Sequence, residues 1–316
     1  MIAFGPVPSR RLGRSLGVNN IPDKFCSYSC IYCQLGKTIK LDIVRREFYN
    51  PQYIFNEVYK KVKEVESKGD KIDYITFVPD GEPTLDVNLG REIELIKSLG
   101  YKIALLTNGS LLFREDVVHD LIELDLISLK VDAYSNTLWR IVNRPHPDLN
   151  YKAILDSMIE FSRIFKRRLI TETMLISNVS YSDEELYNIA SFISKLNPYK
   201  AYIAIPTRPP ACGWVKPADE NTINRAFQIF SSILGMDRVE YLIGYEGTEF
   251  SASGDIVKDI LSITSVHPMR EDAIAKLLDK DNASWDIIED LIKKGLLIRL
   301  EYAGHTYYMR KIKSRM

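Results

Sequence analysis

The sequence predicts an α/β fold with a parallel sheet, followed by a smaller helical unit. Strand-like and helix-like stretches alternate from about residue 50 to 205, and such repeated β–α units form parallel sheets that are covered by helices. Near residue 251 the pattern changes to three helix-like segments and a β-hairpin. The chain is therefore expected to divide into residues 1–250 and residues 251–316.

Each predicted strand is a short apolar run beside a helix-like segment. Strands are expected before residue 26 and at 72–78, 102–107, 126–131, 169–176 and 201–205, with helices at 114–123, 150–166 and 183–195. Six strands are fewer than the eight of a closed barrel, so the pattern predicts a partial (β/α)6 barrel of the TIM-like type. Ligand sites in such folds lie at the carboxyl ends of the strands.

The last unit is predicted to be a winged helix. It contains helix-like segments at 256–263, 270–279 and 285–294 and a hairpin over 296–310. Winged helices often bind DNA through the third helix, but here that helix begins with the acidic residues Asp286, Glu289 and Asp290, which repel phosphates. This argues against DNA as a partner. A hairpin that contacts peptide or RNA, and a module for packing or dimerisation, both stay open.

The composition is that of a cytosolic globular protein. The 316 residues are 46% hydrophobic, without a run of the ~18–20 apolar residues that a membrane span needs. The N-terminus lacks the apolar region of a signal peptide, so we expect a cytoplasmic protein without membrane contact. Forty-two basic residues balance forty-two acidic ones, which gives no global sign of nucleic-acid binding.

Three of the four cysteines, Cys26, Cys30 and Cys33, stand in a C-x3-C-x2-C run with Tyr32 before the last. In a reducing compartment such a cluster indicates metal ligands rather than disulfides. A closed zinc or iron–sulfur site usually has four protein ligands, so three clustered thiolates leave one metal position open for chemistry. A structural zinc site completed by Cys212 or a histidine is the alternative, although zinc sites usually come as two separated C-x2-C pairs.

With its aromatic residue, the run resembles the C-x3-C-x-aromatic-C hallmark of the radical S-adenosylmethionine (SAM) superfamily, over about residues 15–210. The resemblance implies a [4Fe–4S] cluster bound by Cys26, Cys30 and Cys33, with SAM chelated to the fourth iron and Tyr32 beside the cofactor. It implies reductive cleavage of SAM to a 5′-deoxyadenosyl radical that abstracts hydrogen from a substrate. A one-electron reductant protein of flavodoxin or ferredoxin type is the implied partner.

The resemblance also assigns SAM contacts at the ends of successive strands. Gly81, Glu82 and Pro83 look like the family's Gly-Glu-Pro motif, which binds the SAM amino group. A glycine lets the backbone approach a ligand, and a carboxylate accepts hydrogen bonds from an ammonium group. Thr107 and Asn108 end the next strand, where the resemblance implies the adenosine ribose, whereas on their own they indicate only a turn.

A polar face on the strand near residue 130 points to the same cavity. Alternation places Ser128, Lys130 and Asp132 on one face, although a parallel strand covered on both sides should be nearly all apolar. A barrel lumen that receives a charged cofactor explains the pattern, with Lys130 at the SAM carboxylate and Asp132 at a ribose hydroxyl. Glu172 is assigned to SAM or substrate in the same way. The alternatives are buried ion pairs, Lys130 with Asp132 or Glu172 with Lys130 or an arginine.

No catalytic residue is assigned from the sequence, and three residues are candidates. Arg144 and His146 belong to a proline-braced loop, where arginine suits a carboxylate or phosphate, but a solvated loop explains them as well. Cys212 is either a thiol near the substrate or a packed side chain. The substrate, a peptide, an RNA or a small molecule, stays open. A zinc-binding nucleic-acid regulator and a noncatalytic scaffold that binds a cluster are the alternatives to an enzyme.

Overall fold

The computed structural model describes residues 2–22, 24–179, 181–244, 255–266 and 268–311. The strands are β1 (Ala3–Ser9), β2 (Gly13–Val18), β3 (Phe25–Cys26), β4 (Lys40–Leu41), β5 (Tyr74–Phe77), β6 (Lys102–Thr107), β7 (Leu126–Lys130), β8 (Arg168–Met174), β9 (Lys200–Ala204), β10 (Val239–Leu242), β11 (Met269–Arg270), β12 (Leu297–Tyr302) and β13 (His305–Arg310). The α-helices are α1 (Pro51–Ser67), α2 (Leu89–Lys97), α3 (Glu115–Leu121), α4 (Asn136–Val142), α5 (Tyr151–Ile164), α6 (Asp183–Leu196), α7 (Glu220–Leu234), α8 (Ile256–Val266), α9 (Glu271–Lys280) and α10 (Asp286–Lys293).

Eight strands form one sheet in the order β1-β2-β5-β6-β7-β8-β9-β10. From β2 to β10 all neighbours are parallel, while β1 pairs antiparallel with β2 as a hairpin. The predicted fold class, a partial α/β barrel, is confirmed, and the six predicted strands are β2 and β5 to β9. The sheet has two more strands than expected. The sequence hides them because β1 contains two prolines and β10 has four residues, both weak strand signals.

The helices cover the outer face of the sheet, as α1 illustrates. Asn50 caps this helix by accepting a hydrogen bond from the N–H of Gln52, which satisfies a backbone donor of the first turn. Its buried residues recur every three or four positions and form one apolar stripe: Ile54, Val58, Val62 and Val65. The stripe belongs to the main apolar cluster together with outer-face residues of β5. The other face of the sheet is left to line the barrel lumen.

The floor of the barrel is closed by an apolar layer. Side chains alternate between the faces of each strand, and the lumen-facing residues nearest the start of the strands include Tyr74, Ala104, Leu126 and Ile170. Leu12, in the turn between β1 and β2, is buried among them. Because this end is filled, the carboxyl ends of the strands form the open end, where ligand sites are expected.

The C-terminal residues have an apolar cluster of their own, against which Val7 of β1 also packs. The helices α8, α9 and α10 and the hairpin β12–β13 lie close to their predicted positions, and β11 adds a third strand to their sheet. The winged-helix assignment and the division at residue 250 stay predictions. The predicted boundary falls within 245–254, outside the described residues. In the described ranges, none of the helices has the length and apolar character of a membrane span.

Candidate cofactor site

The cysteine loop follows β2 and is held at the open end of the barrel by the loop after β5. The N–H of Glu82 donates to the carbonyl of Phe25 (3.0 Å). The N–H of Lys24 donates to the carbonyl of Asp80 (3.2 Å). These bonds require a close approach, since a Cβ on Gly81 would lie 1.7 Å from the carbonyl oxygen of Phe25. Gly81 is therefore required by the cysteine loop itself, a reason beyond the predicted approach to SAM.

The loop that contains Arg144 and His146 is a second support of the cysteine loop. The N–H of Ser29 donates to the carbonyls of Asn143 and Arg144 (both 3.0 Å), and the N–H of His146 donates to the carbonyl of Ser27 (2.9 Å). Cys212, in the segment after β9, is a further support, because its N–H donates to the carbonyl of Ile31 (3.0 Å). Cys212 is buried, 3.6 Å from the guanidinium of Arg144. The three catalytic candidates therefore surround the cysteine loop from outside, and none of them lines the cavity described below.

Each of the three cysteine thiols has an N–H donor from a different part of the fold. The ammonium group of Lys24 lies 3.3 Å from Cys33 Sγ. The side-chain amide of Asn143 lies 3.4 Å from Cys30 Sγ, and that of Asn108 lies 3.8 Å from Cys26 Sγ. Donors of this kind stabilise sulfur that carries negative charge, as a metal-bound thiolate does.

As free thiols, two of these cysteines stay protonated at neutral pH. Burial raises the pKa of Cys26, and the neighbouring Glu82 raises it further. Burial and the charge of Asp132 raise the pKa of Cys30 to about 12. A bound metal displaces these protons, because it binds the thiolate. The loop is therefore suited to metal-bound sulfur rather than to a free thiolate nucleophile.

A cavity of about 280 Å³ lies beside the thiols at the carboxyl ends of the barrel strands. The predicted cofactor residues that line it are Tyr32, Gly81, Glu82, Thr107, Asn108, Ser128, Lys130 and Glu172, together with Cys26, Cys30 and Cys33. Pro83 and Asp132 are buried and do not line this cavity. The structure thus gathers most of the predicted cofactor residues around one space, although they come from five different parts of the chain.

The carboxylate of Glu82 is used inside the protein. Glu82 is buried and accepts hydrogen bonds from the hydroxyls of Thr84 (2.7 Å) and Thr107 (2.5 Å). It also accepts hydrogen bonds from the backbone N–H groups of Thr84 (3.2 Å) and Asn108 (2.9 Å). Burial raises the pKa of Glu82, while these hydrogen bonds oppose the rise by favouring the charged form. Glu82 therefore joins the loops after β5 and β6, which carry the predicted SAM contacts.

Lys130 and Glu172 form an ion pair, which was the alternative considered for this polar face. Arg11, from the turn between β1 and β2, contacts the other carboxylate oxygen of Glu172. Burial acts to raise the pKa of Glu172, but Lys130 and Arg11 lower it to about 2. The ammonium group of Lys130 also lies 5.2 Å from the centroid of the Tyr32 ring, in cation–π contact. Lys130 keeps 27% of its side chain exposed at the cavity wall, so it retains access to a ligand.

Asp132 holds the cysteine loop rather than facing the cavity. One carboxylate oxygen accepts hydrogen bonds from the hydroxyl of Tyr32 and the amide of Asn143, the latter at 2.7 Å. The other oxygen accepts a hydrogen bond from the N–H of Met174 (2.9 Å). The aromatic residue of the cysteine motif is thereby attached to the end of β7. The expected contact of Asp132 with a ribose hydroxyl stays a prediction that this geometry does not favour.

Another wall of the cavity depends on the C-terminal unit. Pro206, Thr207 and Arg208, in the loop after β9, line the cavity. The hydroxyl of Tyr302 donates to the carbonyl of Pro206 (3.0 Å), and the hydroxyl of Tyr307 donates to the carbonyl of Thr207 (2.7 Å). Both tyrosines belong to the hairpin β12–β13. The hairpin therefore supports the cavity wall directly.

Lys24 is one site residue that the sequence does not reveal. Burial acts to lower the pKa of Lys24, while negative charge on Cys33 and Cys26 and on the carboxylate of Asp80 raises it above its usual value. Nothing in the pattern around position 24 separates this lysine from the many surface lysines of the chain. A lysine two residues before a predicted metal ligand is the one available signal, and it is a weak one.

The arrangement of the thiols bears on which metal group fits. A zinc ion needs its ligands around one centre, whereas the thiolates of a [4Fe–4S] cluster bind separate irons. Within the described ranges, no three His, Cys, Asp or Glu side chains are grouped to hold a single metal ion. The three thiols, with their N–H donors and the adjoining cavity, have the donor chemistry that a cluster held by three cysteines would use.

A partial barrel with a three-cysteine loop at its open end defines the radical SAM class of enzymes. The model of the radical SAM superfamily matches residues 20–190, and the chain belongs to this superfamily. The chain is 49% identical to a UPF0026 protein of Methanocaldococcus jannaschii, over 99% of this chain and 97% of that protein. A UPF0026 protein of Helicobacter pylori is 34% identical, over 66% of this chain and 67% of its own length.

The fold is similar to that of solved radical SAM structures. TYW1 with a lysine-pyruvate adduct bound has a TM-score of 0.54 and 16% identity, over 69% of this chain and 73% of that chain. At this identity the likeness shows the fold alone. The protein is thus a radical SAM enzyme by family, and the family leaves its substrate unspecified.

Proposed function

We propose that Cys26, Cys30 and Cys33 hold a [4Fe–4S] cluster and that SAM binds in the adjoining cavity. The observation that supports this most directly is the convergence of three thiols, each with an N–H donor, on a cavity built from strand ends. When bound, the cluster supplies the electron that cleaves SAM to a 5′-deoxyadenosyl radical, which abstracts hydrogen from the substrate. The protein itself binds, orients and excludes water.

In this proposal the residues around the cavity share three tasks. Gly81 and the backbone beside it meet the SAM amino group, while the Glu82 carboxylate keeps that loop in place. Lys130 meets the SAM carboxylate through a charged hydrogen bond, and Asn108 meets the ribose. Apolar side chains limit water around the reacting atoms: Val78, Leu106, Met174, Ala204 and Leu242.

We further propose a cytoplasmic enzyme that receives its electron from a flavodoxin- or ferredoxin-type protein. Reductive cleavage of SAM consumes one electron, which a partner of this kind would supply. The substrate is a peptide, an RNA or a small molecule. Asp286, Glu289 and Asp290 are exposed at the start of α10, and this supports the proposal that DNA is not the partner.

Anaerobic reconstitution with iron and sulfide tests the proposed function. We expect about four iron atoms per chain and formation of 5′-deoxyadenosine once SAM and dithionite are added. Cys30→Ala is expected to abolish both. Cys212→Ala is the matched cysteine control and is expected to retain the iron, because Cys212 does not line the cavity. A colourless protein that binds zinc, or an iron–sulfur protein that leaves SAM intact, would contradict the proposal.

A further inference from the structure

Lys24 places a buried positive charge inside the cysteine loop. The residue is 2% exposed, and its Nζ lies 3.3 Å from Cys33 Sγ. Its backbone is tied on both sides, since its N–H donates to the carbonyl of Asp80 and its carbonyl accepts from the N–H groups of Ile39 (3.1 Å) and Lys40 (3.2 Å). Its φ of 62° is a left-handed conformation that these contacts maintain. The ammonium group is therefore held beside the sulfur by the fold.

The donors at the other two sulfurs differ from Lys24 in charge and in preference. The amide of Asn143 is closer to Asp132, at 2.7 Å, than to Cys30. The amide of Asn108 is closer to the hydroxyl of Ser27, at 2.8 Å, than to its cysteine. Both amides are neutral, and their shorter hydrogen bonds, to Asp132 and Ser27, connect the loops at the open end of the barrel. Lys24 is the charged donor among the three, and the sulfur is its hydrogen-bond acceptor.

Reduction adds one negative charge to an iron–sulfur group, and a nearby cation stabilises the product of that step more than the starting state. Hydrogen bonds to the sulfurs and the local charge are the main protein contributions to the reduction potential of such groups. We propose that Lys24 is a positioning residue that raises the reduction potential of the cluster through Cys33. The inference rests on the proposed function, because it requires the cluster that the three cysteines would hold.

A redox titration of the reconstituted full-length protein, without SAM, tests this inference. The variants are Lys24→Met, which removes both charge and donor, and Lys24→Gln, which keeps a neutral donor. Lys37→Met is the matched control, since Lys37 is an exposed lysine shortly after Cys33. At the midpoint potential of the wild type, we expect Lys24→Met to lower the ratio of reduced to oxidised cluster about tenfold, which corresponds to about 59 mV for one electron. Lys24→Gln is expected to lower it less, and Lys37→Met to leave it unchanged.

Salt dependence separates a buried charge from a surface charge. The effect of Lys24→Met is expected to persist at about 1 M salt, where the Debye length is about 3 Å. A wild-type midpoint in Lys24→Met at full iron content would overturn the inference, as would equal shifts in Lys24→Met and Lys37→Met. If Lys24→Met fails to bind iron, the midpoint potential of Lys24→Gln is measured instead, and a wild-type value there would overturn the inference. A wild type that holds a cluster but leaves SAM intact contradicts the proposed function alone, while a wild type without a cluster contradicts both.

Discussion

Gly81 faces the cysteine loop with no space for a side chain, because a Cβ would lie 1.7 Å from the carbonyl oxygen of Phe25. Gly81→Ala must therefore push the loop after β5 away from Cys26. We expect the free energy of unfolding to fall by about 1–3 kcal/mol, as is typical of overpacking, and the iron content after reconstitution to fall with it. Urea unfolding and iron analysis measure the two effects. Gly213→Ala is the control, since a Cβ there has no neighbour within 4 Å, and equal effects of both changes would refute the prediction.

Glu172 supplies the negative charge between Lys130 and Arg11 in the lumen. Its pKa is about 2 in the folded protein, below the ordinary value of 4.5. The lowered pKa means that the ion pairs stabilise the fold above the unfolded-state pKa and that this contribution is lost as the pH falls towards 2. Glu172→Gln leaves the partly exposed Lys130 and Arg11 without this carboxylate, so we expect it to cost about 1.5–3 kcal/mol at neutral pH, as is typical of lost hydrogen bonds to charged groups.

Urea unfolding of Glu172→Gln and the wild type at neutral pH, and again near pH 3, measures this effect. The difference between the two proteins is expected to shrink near pH 3, because the unfolded wild type is already protonated at Glu172 there while the folded protein keeps the carboxylate charged down to about pH 2. Glu160→Gln is the matched control, since Glu160 is exposed on α5. A difference that is absent at neutral pH, or that grows in acid, would count against the proposed role of these ion pairs.

The hairpin β12–β13 contributes to the site as an element, because two of its hydroxyl groups hold the loop after β9. We expect the double change Tyr302→Phe and Tyr307→Phe to cost about 1 kcal/mol for each lost hydrogen bond and to speed backbone hydrogen exchange in residues 207–212. Hydrogen-exchange mass spectrometry measures the local effect. Tyr187→Phe is the control, because Tyr187 is 57% exposed. Unchanged exchange in the double variant would show that the hairpin does not support the wall.

The loops at the open end also act as elements, each supporting its neighbour. The loop after β5 supports the cysteine loop through Glu82 and Phe25, and the loop after α4 supports it through Asn143 and Ser29. Motifs that look like ligand contacts in the sequence are therefore partly structural. Arg144 and His146 are examples, since their backbones, rather than their side chains, make the contacts with the cysteine loop.

For the molecule as a whole, the partial barrel follows from local patterns that a sequence displays well. Alternating apolar runs and helical stripes placed six of the eight strands of the sheet. Ser128 and Lys130 on β7 indicated that the lumen is polar near the carboxyl ends of the strands, where both line the cavity. A parallel strand covered on both faces is otherwise apolar. The two remaining strands were hidden, since proline-rich and four-residue strands have little pattern of their own.

On its own, the sequence specified the class of the protein, because the spacing of Cys26, Cys30 and Cys33 and the Gly-Glu-Pro run are local chemical signatures. Which polar side chains face the cavity was decided by tertiary structure alone. Glu82 and Asp132 are engaged with loops distant in sequence, and Lys24 lies beside a sulfur. Such pairings depend on long-range packing, which sets the partner and burial of each charge, and neither is encoded in the spacing of residues along the chain.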